Sequence, residues 1–185
     1  AVVDPHRSDC GYPFKELSGV GVAFKLLCAL EGEWGEALLE QYADLLAIGT
    51  VGDVVPLTGE NRLFVTRGLG MLTESDRPGI RALLASAGLE GRVLNGDSIA
   101  FGIAPRINAA GRLGTMENGI ECLLSDDPAA ALAFAESLNS INTERRELES
   151  EMQQLAEAAL SNIDLDHHAT FTIFNPSFNE GVVGL

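Results

Sequence analysis

The sequence has few basic residues, few aromatic residues and few cysteines. Of its 185 residues, 12 are Lys or Arg against 27 Asp or Glu, which gives a formal net charge of −15. This charge excludes a protein whose whole surface binds nucleic acid or anionic membrane, because like charges repel. It leaves room for a local basic groove. Wholesale disorder is also excluded, because 46% of the residues are hydrophobic.

The three cysteines are Cys10, Cys28 and Cys122, and none forms a C-x-x-C pair. An odd number without such a pair excludes a disulfide scaffold and argues against structural zinc, so we expect a reduced, cytoplasmic protein. No signal peptide and no apolar run of about 18 residues is present. The longest candidate, 19–30, is short and carries Lys25. The sequence therefore predicts a soluble protein without a membrane partner.

Both ends of the sequence are apolar. The chain opens with Ala1-Val2-Val3 and stops with the glycine-rich stretch 181–185. Natural domains usually end in polar segments. We therefore expect this sequence to be a piece of a longer protein.

Apolar periodicity predicts a mainly helical chain. Strands are expected at 1–4 and 170–174. Gly49 is expected to end the second helix. The stretch 98–114 is rich in glycine and alanine and carries two arginines, a composition that is unusual for a loop. The last helix carries a heptad-like apolar stripe and would be about 50 Å long. It suits a connector between two domains, with coiled-coil dimerisation as the alternative. Helices are expected over 18–29, 35–48, about 58–72, 78–87, 117–124 and 128–161.

Asp53 is the first candidate for chemistry. It lies in a turn-like segment, 50–57, among valines and between Gly52 and Pro56. A carboxylate with apolar neighbours needs hydrogen-bond donors or a metal ion as compensation. The alternative is an ordinary turn or helix-capping aspartate.

A second candidate is the stretch 105–114, which contains Arg106, Asn108 and Arg112. Residues 101–115 include two arginines and no acidic residue, so an anionic substrate is expected here. The alternative is a pair of helix-surface arginines bonded to carboxylates.

Two further motifs lie near the end of the chain. The turn 179–184, with Asn179 and Gly181, is able to present backbone N–H groups to a phosphate. The triplet Asp166-His167-His168 has the residue types of a metal site, but it lies in a polar connector. We interpret this triplet as solvated and not as a metal site.

Several stretches together resemble RecJ-type single-strand-specific exonucleases of the DHH phosphoesterase superfamily. The two most specific are 47–62, containing Gly-Thr-Val-Gly-Asp-Val-Val-Pro-Leu, and 105–113, Pro-Arg-Ile-Asn-Ala-Ala-Gly-Arg-Leu. The stretches 12–26, 138–145 and 181–185 follow the same order as in that family.

The resemblance implies an α/β fold that is helix-rich in this part of the protein. Residues 1–127 would be the later part of a DHH domain, 128–162 a long connecting helix, and 163–185 the start of a DHHA1 domain with its first strand. The activity implied is 5′→3′ hydrolysis of single-stranded DNA in repair and recombination. Single-strand-binding proteins or helicases are the partners implied, and the protein is expected to be a monomer.

The resemblance also implies a site that uses Mn²⁺ or Mg²⁺. Of the family's metal-binding motifs only the Gly-Thr-x-x-Asp segment is present, which assigns Asp53 as a metal ligand and catalytic residue. The isolated chain is therefore expected to be inactive. The residues implied in holding substrate phosphates are Arg106, Asn108, Arg112, Asn179 and Gly181.

One departure from the family pattern concerns Asn179, which stands where histidine is expected. Asparagine keeps a hydrogen bond but has no acid–base capacity. Two alternatives therefore stay open. One is another DHH phosphoesterase acting on oligonucleotides or cyclic dinucleotides, and the other is a degenerate, non-catalytic scaffold.

Overall fold

The computed structural model describes residues 2–32, 35–114, 116–161, 163 and 170–184. Within these residues the chain forms seven α-helices and one π-helical segment, and every predicted helix is present. The triplet 166–168 lies outside the described residues. The helices are α1 (Gly19–Glu31), α2 (Glu36–Gly52), α3 (Gly59–Thr73), α4 (Pro78–Ser86), α5 (Ala104–Leu113), α6 (Glu117–Leu124) and α7 (Pro128–Leu160), with the π-helical segment at Ser98–Ile103.

The second helix is longer than the sequence predicted. Gly49 does not end α2, which continues to Gly52. The glycine is instead where α2 crosses α1, because a Cβ atom at Gly49 would lie 2.7 Å from a methyl carbon of Val20. Here the absence of a side chain serves close packing of two helices rather than helix termination.

The stretch 98–114 is helical rather than a loop. The π-helical segment Ser98–Ile103 runs directly into α5, and Pro105 lies in the first turn of α5, where its missing N–H is tolerated. Ile99 and Ile103 are completely buried and anchor the segment. Because this stretch has many small residues, the helical spacing of its apolar residues is not evident from the sequence.

Two apolar clusters form the core. The larger one joins the π-helical segment to α2, α4, α5, α6 and the first half of α7, around Ile80, Leu83 and Leu138. The smaller one joins α1, α2 and α3, with Phe24 and Phe64 in edge-to-face contact at 5.5 Å between ring centroids. Site residues on α2 and α5 are therefore carried by the same packed framework.

The structure does not confirm the two predicted strands. Residues 2–4 and 170–174 are irregular, and Val2, Val3 and Phe174 are exposed. A strand needs a neighbouring strand for its hydrogen bonds, and the described residues contain no strand that could pair with either segment. The expected first strand of a DHHA1 domain is therefore corrected to an irregular segment, and the described fold is helix-rich without a sheet.

Helix α7 has 33 residues and therefore a length of about 50 Å. It begins after Asp127, whose carboxylate accepts hydrogen bonds from the backbone N–H groups of Ala129 and Ala130. None of the helices in the described part of the chain is both long and apolar enough to cross a membrane.

Candidate metal and phosphate site

Asp53 lies directly after α2, and its backbone N–H donates to the carbonyl of Gly49 at 2.9 Å. Its carboxylate Oδ2 accepts a hydrogen bond of 3.3 Å from the N–H of Gly19, the first residue of α1. The positive end of the α1 dipole favours a carboxylate at this place. The residue is exposed, and Oδ1 has no hydrogen bond to any part of the chain that the structure describes.

The backbone turns sharply after Asp53. Val54 has a φ of 55°, a conformation that is unfavourable for a β-branched residue, and its side chain is 88% exposed. In the last turn of α2, the buried hydroxyl of Thr50 forms a hydrogen bond of 3.0 Å with the hydroxyl of Ser18 at the start of α1. Asp53 is thus presented at a tight corner between two helices.

The chemistry of Asp53 fits one ligand of a metal ion. A carboxylate is a hard oxygen ligand of the kind that Mn²⁺ and Mg²⁺ take. Within the described ranges, no three His, Cys, Asp or Glu residues lie together in a way that could hold an ion. Asp53 therefore fits as a member of a larger ligand set and does not form a site by itself.

Arg106 bonds to three parts of the protein. Its Nε donates to Oδ1 of Asn139 on α7 at 3.0 Å, Nη1 donates to the carbonyl of Gly102, and Nη2 donates to the carbonyl of Ser86 at 3.1 Å. Burial lowers the pKa of its guanidinium, and the charge of Arg146 lowers it further. None of the three acceptors is a carboxylate. Two of the five guanidinium N–H groups remain for another acceptor.

Arg112 lies against the turn 179–184. Its Nη1 donates to the carbonyl of Gly181 at 3.1 Å, and the N–H of Gly181 donates to Oδ1 of Asn179 at 2.9 Å. A Cβ atom at Gly181 would lie 2.3 Å from the carbonyl oxygen of Arg112, so a side chain does not fit there. The two sequence motifs that carry Arg112 and Asn179 therefore meet in space.

Helix α5 connects this turn to Asp53. At its first residue, Ala104, the helix packs against Gly52, where an added Cβ would lie 3.3 Å from the Cβ of Ala104. Asn108 and Arg112 follow four and eight residues later, are both exposed, and share one side of the helix. At 1.5 Å per residue, Asn108 and Arg112 are about 6 Å apart along the helix axis, and Ala104 and Arg112 about 12 Å.

The structure therefore groups Arg112, Asn179 and Gly181 at one end of α5 and places Asp53 near the other end. Arg106 points instead toward α4 and α7. The sequence analysis missed Asn61, a completely buried residue that contacts the loop after Asp53. Its sequence signals were its place in the stretch 47–62 that resembles the family and its position as a polar residue in the first turn of a helix, which resembles ordinary helix entry.

No family model matches the chain. Among curated proteins, the single-stranded-DNA-specific exonuclease RecJ of Dickeya dadantii (strain 3937) is 38% identical over 200 residues, and RecJ of Bacillus subtilis (strain 168) is 40% identical over 185. Both matches cover 100% of this chain. Crystal structures of RecJ from Thermus thermophilus with Mn²⁺ and with Mg²⁺ match 94% of the chain with a TM-score of 0.79 and 37% identity.

The predicted resemblance to RecJ-type proteins is confirmed. The chain spans 35% of the length of the Dickeya RecJ and 23% of the Bacillus RecJ, so it corresponds to a segment of these proteins. It likewise covers 26% of the Thermus RecJ chain that was crystallised with Mn²⁺.

Proposed function

We propose that this chain is a segment of a metal-dependent exonuclease that hydrolyses phosphodiester bonds of single-stranded DNA in the 5′→3′ direction. The observation that carries the proposal is the match of the whole chain to proteins named single-stranded-DNA-specific exonuclease RecJ. DNA repair and recombination are the processes this activity would serve. Two alternatives gain no support from these relatives: another DHH phosphoesterase acting on oligonucleotides or cyclic dinucleotides, and a degenerate, non-catalytic scaffold.

The proposed organisation follows the helices. Residues 1–127 would belong to a DHH domain, 128–162 to the connecting helix, and 163–185 to the start of a DHHA1 domain. Helix α7 supports the middle assignment, because it begins at Pro128 and is much longer than its neighbours. Single-stranded DNA is the proposed substrate, single-strand-binding proteins or helicases are the proposed partners, and a cytoplasmic monomer is the proposed form.

Asp53 is the proposed metal ligand and catalytic residue, with Mn²⁺ or Mg²⁺ as the cofactor. The fit of its carboxylate to such ions and the Mn²⁺ and Mg²⁺ complexes of the Thermus RecJ support this proposal. When bound, a pair of such ions activates water and stabilises the charge on the phosphate oxygens. Asp53 would hold an ion through Oδ1, while its hydrogen bond from Gly19 keeps the carboxylate oriented.

The proposed phosphate-binding residues are Asn108, Arg112, Asn179, Gly181 and Arg106. The first four lie along or beside the exposed side of α5. The stretch 101–115 contains no acidic residue in a chain of net charge −15, whereas the exposed Glu180 lies between Asn179 and Gly181. Contacts to phosphates position a strand without reading its sequence. Arg106 would contribute through its two remaining N–H groups.

The proposal is tested with Mn²⁺ and end-labelled single-stranded DNA. We expect a full-length protein containing this segment to release nucleotides, and we expect residues 1–185 alone to release none, because Asp53 is without co-ligands in the described chain. Release of nucleotides is followed by gel electrophoresis. Turnover by the isolated chain would contradict the proposed ligand assignment, and inactivity of the full-length protein would contradict the proposed function.

Arginine substitutions separate phosphate contacts from structural ones. We expect Arg112→Ala in the full-length protein to weaken DNA binding and to reduce the slope of log K against log[salt] by about 1, because one phosphate contact is lost.

Arg106→Ala should weaken binding as well and also lower the melting temperature, since three protein hydrogen bonds disappear. Binding is measured by fluorescence anisotropy at several salt concentrations. Arg92→Ala, an exposed arginine outside α5, serves as the control.

If Arg112→Ala leaves the salt slope unchanged, the residue has only its structural contact with Gly181. If Arg106→Ala changes stability alone, its guanidinium is a structural link between α4, α5 and α7 and not a phosphate contact.

A further inference from the structure

Asn61 is a buried polar residue that the proposed chemistry does not use. It lies in the first turn of α3 and is 0% exposed. Its Nδ2 donates to the carbonyl of Glu16 at 2.5 Å and to the carbonyl of Pro56 at 3.0 Å. Its Oδ1 is the one buried side-chain polar atom without a partner in the described part of the chain.

This arrangement indicates that the amide is kept for its two donated hydrogen bonds. Burying an oxygen without a partner costs stability, and an apolar residue of the same size would avoid that cost. The two hydrogen bonds that Asn61 donates must therefore stabilise the fold enough to offset this cost.

The two acceptors of Asn61 belong to the two segments that surround Asp53. Glu16 precedes Ser18 and Gly19, which bond to Thr50 and to the Asp53 carboxylate. Pro56 is the third residue after Asp53 in the loop that leads to α3. One side chain therefore ties the segment that donates to Asp53 and the segment that follows Asp53 to the same point on α3.

The loop after Asp53 contains a strained residue and few hydrogen bonds that hold it in place. Val54 adopts an unfavourable φ of 55°, and its side chain is 88% exposed, so packing of Val54 does not compensate the strain. The hydrogen bonds that the described chain makes within 54–57 are Val54 N–H to the carbonyl of Val51 at 3.1 Å and the donation from Asn61 to Pro56. Without Asn61 the loop would be held at one end only.

We propose that Asn61 is a positioning residue that holds the loop 53–57, and through it the Asp53 carboxylate, in the geometry that a divalent cation requires. The proposal rests on the proposed function, because it takes Asp53 as a metal ligand. Asn61 acts through hydrogen bonds to the backbone and does not contact the ion. Partners that orient a metal ligand typically contribute about 10- to 100-fold to metal affinity.

The test uses Asn61→Leu in the full-length protein, a change that removes both donors and keeps the approximate size. We expect the Mn²⁺ concentration for half-maximal cleavage to rise at least about tenfold, while KM for DNA at saturating Mn²⁺ stays within about twofold. Amide hydrogen exchange of residues 53–57 should accelerate, with the middle of α2 unchanged. Asn61→Ser retains one donor and should give intermediate values, which keeps the test usable if the Leu variant does not fold.

Ile80→Val is the matched control, because Ile80 is completely buried in the larger cluster and lies apart from the loop. It should lower stability without changing the Mn²⁺ requirement. An equal change in the control, or unchanged Mn²⁺ dependence and loop exchange in the folded Asn61 variants, would overturn the inference. If instead Asp53→Ala leaves Mn²⁺-dependent cleavage intact, the proposed role of Asp53 fails, and exchange in 53–57 still reports separately whether Asn61 holds the loop.

Discussion

Replacing Asp53 with alanine in the full-length protein is expected to abolish Mn²⁺-dependent cleavage while leaving the fold largely intact. The residue is exposed, and its side chain makes one hydrogen bond within the described chain, to the N–H of Gly19 at 3.3 Å. Loss of such a contact at a helix start costs about 1 kcal/mol. Loss of a metal ligand should reduce cleavage by more than the roughly 100-fold seen for residues that only orient ligands.

The matched control is Asp127→Ala. Asp127 is also an exposed aspartate at a helix start, where it accepts from Ala129 and Ala130 at 3.1 and 3.3 Å. It should lose a similar amount of stability and no activity. Cleavage rates are measured over a Mn²⁺ titration, and stability by thermal unfolding. Wild-type cleavage by Asp53→Ala would contradict the metal-ligand assignment and leave Asp53 with a helix-capping role only.

Gly68→Ala is expected to cause a large loss of stability. A Cβ atom there would lie 2.0 Å from the carbonyl oxygen of Ala43 and 2.5 Å from the Cβ of Ala47, so α2 and α3 would have to separate. Separating two packed helices opens the core between them and costs at least about 3 kcal/mol. Because α2 carries Asp53 at its end, the same shift should also lower cleavage.

Gly70→Ala is the control on the same helix. Gly70 is exposed, and a Cβ atom there would have no neighbour within 4 Å. Alanine is the better helix former, so this change should stabilise the protein by up to about 1 kcal/mol. Urea unfolding of both variants gives the comparison. Equal effects of the two substitutions would contradict the close contact between α2 and α3.

Helix positions were predictable from this sequence because each helix buries apolar residues at helical spacing. Two features were not predictable, and for the same reason: the continuation of α2 past Gly49, and the helical structure of the stretch 98–114. A glycine that ends a helix and a glycine that lets two helices touch look the same in sequence, and only the neighbour, Val20 in this case, distinguishes them. The small residues of 98–114 likewise hide a helix whose burial depends on Ile99 and Ile103.

The candidate site was predictable to a similar extent. The turn around Asp53 is visible as a carboxylate among valines, glycine and proline, and the motif resemblance assigns its chemistry. The contact between Arg112 and Gly181 joins residues 69 positions apart, and the contacts of Asn61 with Glu16 and Pro56 depend on how three segments pack. Such contacts arise from tertiary structure and leave no local pattern in the sequence.

The most direct test of the central claim is cleavage by the full-length protein, with Mn²⁺, of one labelled oligonucleotide in three forms. The forms are a free single strand, the same strand blocked at its 5′ end, and the strand annealed in a blunt duplex. The proposed function predicts rapid degradation of the free strand and little degradation of the other two. Equal degradation of the duplex, or degradation of the 5′-blocked strand at the rate of the free one, would contradict it.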